Sequence, residues 1–322
     1  MCSRFNAWHQ LRVGVIAMLV ACTPTTSRAP ASRDEASPRA DHAGGPPGLG
    51  MGETPWVTTP LHPTVVSDST LRVCADPNNL PFSNARGEGF ENRLAQLIAD
   101  DFGVPVRYTW WPERRGFIRN TLKAGLCDVV IGVPVNLEMV SPTSPYYRST
   151  YVFVSRTDRH LVLASLDDTV LRHLRIGVQV AGDDYSNPPA AEALAIRGLA
   201  DRVVGYTLYG DYSRPNPPST LISAVIRGDV DVAVAWGPLA GYFAKRQPVP
   251  LTMTPVQPAM DGPTRPFVFA IAAGTRHGDT TLHRRLQAAL ARHQADIKAL
   301  LATYGVPLLP DSASLALAGG SR

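Results

Sequence analysis

An α/β fold in two lobes, each with a mainly parallel sheet flanked by helices, is what this sequence predicts. Three observations predict it. From Leu71 onward, short apolar runs alternate with helical patterns at βαβ spacing. Part of that pattern recurs at a constant offset of 103 residues. Two extended stretches, Tyr147 to Arg156 and Pro266 to Ala273, lie where they can join the halves.

Each element has a local reason. Leu71 to Ala75 (LRVCA) reads as a short buried strand followed by a Pro/Asn loop. Phe90, Leu94, Leu97 and Ile98 mark one helical face, and Gly103 closes that helix. Val104 to Trp110 reads as a strand. A second helix is expected from about Arg114 to Ala124, with Gly125 as its C-cap. Asp128 to Ile131 is a buried strand. Leu174 to Val178 then repeats Leu71 to Ala75, and Gly228 to Val232 repeats Gly125 to Val129. Chance similarity among βαβ units is the alternative to a true repeat. A long helical pattern follows, with Leu282, Leu286, Leu290, Ile297, Leu300 and Leu301 on one face. If it returns to the first lobe, the chain crosses twice, and two crossings make a hinge over a closable cleft. The expected division is residues 69–157 plus 266–310 for lobe 1 and 158–265 for lobe 2, with 311–322 a flexible tail.

Composition narrows the function. The 322 residues are 44% hydrophobic and 18% charged, enough for a large core and too apolar for global disorder. No uninterrupted apolar run reaches the roughly 18 residues of a membrane span. The net charge is +4, or +2 once Arg4 and Arg12 leave with a leader, too weak and scattered for a nucleic-acid footprint.

Residues 1–22 read as an export signal. Arg4 and Arg12 precede the apolar core Val13 to Ala21, which ends in Leu19-Val20-Ala21-Cys22. That ending is similar to a bacterial lipobox, with Cys22 the lipidated residue. An ordinary cleaved signal and an uncleaved anchor are the alternatives. Residues 23–68 carry eight of the 29 prolines, five glycines and no apolar periodicity, so a flexible tether is expected. Cys2 leaves with the leader. In an oxidising compartment the remaining pair, Cys74 and Cys127, is expected to form a disulfide, with two buried thiols as the alternative.

Enzyme signatures are missing. There is no P-loop, no GxSxG elbow and no HExxH, and the eight histidines form no short-spaced metal pair. The strand-end loops instead carry rigid Pro and Gly backbone with aromatic and amide groups. They include Asp76, Asn78, Asn79 and Phe82, then Trp111, Arg114 and Arg115, then Pro134 and Asn136, then Tyr146 and Tyr147. From the second half come Gln179, Asp183, Asp184, Tyr185, Trp236 and Gly237. Clustering at strand ends marks a binding cleft, although packing in the lobe core is the simpler reading of any single aromatic. Asp183 and Asp184 read equally as site residues or as a solvated loop.

The runs CADPNNLPFSN (74–84), GEGFENRLAQLIA (87–99), RRGFIRNTLKAGLCDVVIGVP (114–134) and PYYRSTYVFV (145–154) resemble type II extracellular solute-binding proteins, family 3. So do GDDYSN (182–187), GYTLYGDYSRPNPP (205–218), DVAVAWGPLAGYF (231–243) and PFVFAIAAGTRHGD (266–279). The likeness covers about residues 70–310. It is strongest to the subfamily associated with quinoprotein alcohol dehydrogenases, the J-type periplasmic accessory proteins encoded beside methanol dehydrogenases. The resemblance implies the periplasmic-binding-protein type II fold and a periplasmic, non-enzymatic binding role. It also implies a partner, a PQQ-dependent alcohol dehydrogenase, met through a protein segment or a small ligand held in the cleft. No cofactor of its own is implied. A receptor that serves an ABC permease is the rival reading.

Two departures bear on the ligand. Amino-acid receptors of the family carry a Thr-Pro-Glu-Arg-like segment whose Arg forks onto the ligand carboxylate. Here Val135-Asn136-Leu137-Glu138-Met139 stands there, with Met139 at the Arg position. They also hold the ligand ammonium with an Asp where Trp236-Gly237 stands here. Leaving a buried ionic group unpaired costs several kcal/mol, so a free amino acid is not the expected ligand. Arg114 or Arg115 as a substitute carboxylate fork is the alternative, weighed against a solvated helix start.

Overall fold

The computed structural model describes residues 69–180, 188–207 and 212–310. The expected leader, the Cys22 lipidation site, the tether and the tail lie outside the described residues. So do the candidate site residues Asp183, Asp184 and Tyr185. Among the described residues no helix is long and apolar enough to cross a membrane.

The main strands are β1 (Leu71–Ala75), β2 (Val106–Trp110), β3 (Val129–Pro134), β4 (Tyr147–Arg156), β5 (Ile176–Val180), β6 (Val203–Thr207), β7 (Val232–Trp236), β8 (Leu251–Pro255) and β9 (Val268–Thr275). The helices are α1 (Phe90–Phe102), α2 (Phe117–Asn120), α3 (Pro189–Ile196), α4 (Ser219–Arg227), α5 (Gly237–Ala244), α6 (Thr280–Arg292) and α7 (Gln294–Thr303). The strands run in the order β2-β1-β3-β9-β4-β7-β5-β6, with β8 also paired to β4. The trios β2-β1-β3 and β7-β5-β6 are parallel, and antiparallel β9 and β4 join them. Parallel strands covered by helices on each side, joined by two long crossing strands, are the two-lobed architecture expected.

The repeat is physical. Val73 pairs Val129 and Cys74 pairs Val130 in lobe 1. Ile176 pairs Val232 and Gly177 pairs Ala233 in lobe 2, the same register shifted by 103. Cys74 and Cys127 are joined as a disulfide with their Cα atoms 5.5 Å apart.

Some boundaries differ from expectation. The expected second helix shrinks to α2, because Gly116 opens it in the left-handed region and turns replace it before Gly125. The long C-terminal pattern is two helices that break at His293 and bury Leu282, Leu286, Leu290, Ile297 and Leu301. The strand expected from Val104 begins at Val106. The second crossing strand begins at Val268 and runs on to Thr275.

Amphipathic α1 buries Phe90, Leu94, Ala95 and Ile98 against Val73, Ile131 and Leu286 in the lobe 1 core. Its start is capped by Asn92, whose Oδ1 accepts from the backbone N–H groups of Asn84 and Gly89 at 2.9 and 3.1 Å. Lobe 2 builds its core from Ile176, Val178, Leu194, Val232 and Val234. Leu80, from the loop after β1, packs into a third cluster with Leu221, Ile222 and Tyr242. Helix α5 is seated on the chain that follows α7. A Cβ on Gly241 would fall 1.9 Å from the Gly305 carbonyl oxygen, so only glycine permits that approach.

Candidate functional site: buried carboxyls around the loop after the first strand

The site begins with the turn after β1. Asp76 is 1% exposed, and its carboxylate caps two loops at once. Oδ1 accepts from the Asn78 N–H and Oδ2 from the Glu113 N–H, both at 2.8 Å. The Tyr212 hydroxyl, from the loop before α4, is its third donor. Burial raises the Asp76 pKa, and these three donors oppose the rise.

Asn78 and Asn79 face different partners. Asn78 Nδ2 donates to the Arg214 carbonyl at 2.8 Å, and its Oδ1 accepts from the Asn216 N–H at 3.1 Å. The Asn78 amide and the Asp76 carboxylate thus both bond the loop of lobe 2 from lobe 1. Asn79 is buried, and its Nδ2 donates to Glu113 Oε2 at 2.7 Å. Its Oδ1 is buried, with no hydrogen-bond partner among the described residues.

Two acidic side chains share this wall. Glu91 enters from the first turn of α1 and is 9% exposed. Its room comes from Gly132 in β3, where a Cβ would fall 2.0 Å from Glu91 Oε1. Burial first, then the Glu113 charge, holds the Glu91 pKa well above the usual carboxylate range. Burial first, then Asp76, raises Glu113 to about 7, against the opposing hydrogen bond from Asn79. Among the described residues no basic side chain offsets this strain on either group. Both carboxyls stand on lobe 1, Glu91 on α1 and Glu113 in the loop after β2. Among the described residues no group of three His, Cys, Asp or Glu side chains can hold a metal ion.

The aromatic residues divide by role. Phe82 packs edge-on against Phe90 in the core. Tyr146 and Tyr147 are also core residues, yet both feel the Glu91 and Glu113 charges and so stand behind the acidic wall. Trp111 is 37% exposed at the rim. Trp236 ends β7 in contact with both lobe cores, between the rings of Tyr151 and Phe269. Gly237 begins α5, pressed against the Thr150 carbonyl and Pro307. Arg114, Arg115, Asn136 and Met139 are exposed, while Pro134 and Gln179 are half-buried at strand ends. Arg114 lies close enough to Tyr212 to act on its hydroxyl.

The structure thus brings Asp76, Asn78 and Asn79 together with residues absent from the sequence-based set: Glu91, Glu113, Tyr212 and Asn216. Glu91 looks like an ordinary acidic first-turn residue, and Glu113 like part of a charged loop. A glycine inside a strand, Gly132, was the available signal that something approaches closely there.

The pattern of the bacterial extracellular solute-binding proteins, family 3, matches residues 71–306. The chain is 33% identical over 250 residues to Protein MoxJ of Methylorubrum extorquens, covering 76% of this chain and 83% of that protein. Among solved structures it is similar to MxaJ from Methlophaga aminisulfidivorans MPT, with TM-score 0.65 and 28% identity over 74% of this chain and all of that one. It is also similar to the periplasmic binding protein XoxJ from Methylobacterium extorquens AM1, with TM-score 0.60 and 35% identity over 75% of this chain and all of that one. The chain belongs to solute-binding protein family 3, and its relatives place the folded part in the periplasm.

Proposed function

We propose that this family 3 protein is a non-enzymatic accessory of a PQQ-dependent alcohol dehydrogenase, methanol dehydrogenase being the expected case. It binds a partner segment or a small ligand in the cleft between its lobes and works from a lipid anchor at Cys22 through the 23–68 tether. The observation that carries this reading is the replacement of amino-acid chemistry in the cleft. Met139 is exposed, and Trp236 is held among aromatic rings. Neither offers the charge that a free amino acid needs. The MoxJ, MxaJ and XoxJ relatives support the same reading.

Binding rather than catalysis is supported by the layout of the carboxyls. Glu91 and Glu113 share one wall, and Asp76 is occupied by three donors. The contacts of Asn78 with Arg214 and Asn216 favour a second reading, a receptor for an ABC importer, because closure over a solute is what a receptor does.

Deletion in the native host separates the two. The accessory reading predicts that alcohol dehydrogenase activity falls while the enzyme polypeptide persists, and that the wild-type chain restores it. Loss of uptake of one solute with dehydrogenase activity intact would establish the receptor instead.

A further inference from the structure

We propose that the Glu91–Glu113 wall receives one organic cation, an ammonium or guanidinium group, with Asn79 Oδ1 as a neutral acceptor beside the two carboxyls. The inference deepens the accessory reading and rests on it, since the cation is a Lys or Arg side chain of the bound segment or a free amine. It begins from what the wall lacks. Glu91 is nearly buried, its neighbour is another carboxyl, and no basic side chain among the described residues compensates either. Such a pair is destabilising unless something else occupies the space.

Asn79 gives an independent indication. Its amide is committed at one end to Glu113, while the other end, Oδ1, is a buried acceptor with no donor among the described residues. Buried acceptors in native proteins find donors, and a carboxyl pair beside an orphaned carbonyl calls for a donor that carries positive charge. Gly132 lets the Glu91 carboxyl reach the backbone of β3, which fixes where the carboxyl stands. Tyr146 and Tyr147 back the wall and Trp111 stands at the rim, the surfaces a cation prefers over aliphatic ones. A metal ion does not fit, since the described residues offer no ligand group for one. A free amino acid does not fit either, because its carboxylate would approach Glu91 and Glu113 with no Arg at position 139.

Protonation follows from the same geometry. The groups that face the wall are Asp76 from the β1 loop, Tyr108 on β2, Tyr146 and Tyr147 at the start of β4, and Tyr212 from lobe 2, on which Arg114 acts. Burial and the Glu113 charge raise the Glu91 pKa, and a bound cation opposes that rise. Affinity rises with pH through about 7, where Glu113 ionises.

The test is calorimetric titration of the full chain with agmatine, butylamine, N-acetyl-arginine methylamide and neutral 1-pentanol, at about pH 6 and about pH 8. The expected result is binding of at least one cation about tenfold or more tighter than the alcohol. It should be tighter at the higher pH and reduced about tenfold in Glu91→Gln/Glu113→Gln. Preference for the blocked arginine identifies a partner side chain as the source, and preference for agmatine or butylamine identifies a free amine. Cations that bind no better than pentanol, or equally well to the double variant, overturn the proposal. Should the double variant fail to fold, Glu113→Gln alone is read the same way. Capture of a dehydrogenase by the wild-type chain without cation binding sinks this inference and leaves the accessory reading standing. Cation binding without capture does the reverse.

Discussion

The two lobes are built on one motif and finished differently. In lobe 1, Arg72 forks onto Asp128 at 2.8 and 2.6 Å and reaches the Gly125 carbonyl at 3.2 Å. In lobe 2, each partner reappears 103 residues later: Arg175 bonds the Gly228 carbonyl at 2.6 Å and lies 3.6 Å from Asp231. Lobe 1 adds a second guanidinium, Arg276, to Asp128, whose side chain is 1% exposed. Asp231 is 14% exposed, and its partners Arg159 and Arg175 are about half exposed. The Cys74–Cys127 disulfide occupies the place where lobe 2 has Gly177 against Val230. Lobe 1, which holds the acidic wall, is therefore the cross-linked half. Lobe 2 contributes the covering loop and Trp236 on a plainer version of the same frame. Removing reinforcement should cost lobe 1 more than the matching change costs lobe 2.

The largest effect is expected from Cys74→Ser with Cys127→Ser. A bridge across 53 residues restrains the unfolded chain by about 4 kcal/mol. The folded part should then lose roughly 8–16 °C of thermal midpoint. An unchanged midpoint breaks the contrast between the lobes.

Asp128→Asn comes next. It leaves two guanidinium groups without their shared carboxylate and is expected to cost about 2 kcal/mol. Asp231→Asn, with exposed partners, is expected to cost less than about 1 kcal/mol. Denaturant midpoints for the pair check the ranking, and equal costs contradict it.

The third effect is a slope. Glu113 has a folded pKa of about 7 against an unfolded value near 4.5. The folded state thus holds the proton more tightly, and the stability this gives is complete below about pH 4.5 and lost as pH rises through about 7. Glu113→Gln removes that loss, about 1–2 kcal/mol once its coupling to Asp76 and Glu91 is allowed for. Its denaturant stability should fall less than wild type between these pH values. A parallel profile contradicts the assignment.

The smallest effect belongs to the junction. Asn78→Ala removes two hydrogen bonds to lobe 2 and is expected to cost under about 1 kcal/mol. It should lengthen the distance between probes on the two lobes in solution.

The sequence showed the frame more clearly than the wall. Apolar runs such as Leu71 to Ala75 and the capped face of α1 are local signals, so β1, α1 and the crossing strand Tyr147 to Arg156 were readable residue by residue. The repeat at an offset of 103 residues was readable because both copies keep their spacing. The helix expected after Trp111 was not, because Gly116 in the left-handed region outweighs the apolar spacing that follows. Glu91 was invisible for another reason. A carboxylate in a helical first turn is a surface feature in most sequences, and only the fold brings it under Gly132 and beside Glu113. Long-range proximity brought Glu91 and Glu113 to Asp76 and Asn79, which the strand-end loop had already marked.

The central claim is that this chain works on an alcohol-oxidising quinoprotein. It is tested most directly by affinity capture of the tagged, full-length protein from its own host's envelope, grown on an alcohol, with bound proteins identified by mass spectrometry. The account predicts a quinoprotein alcohol dehydrogenase in the eluate. Recovery of ABC permease subunits without a dehydrogenase would contradict it.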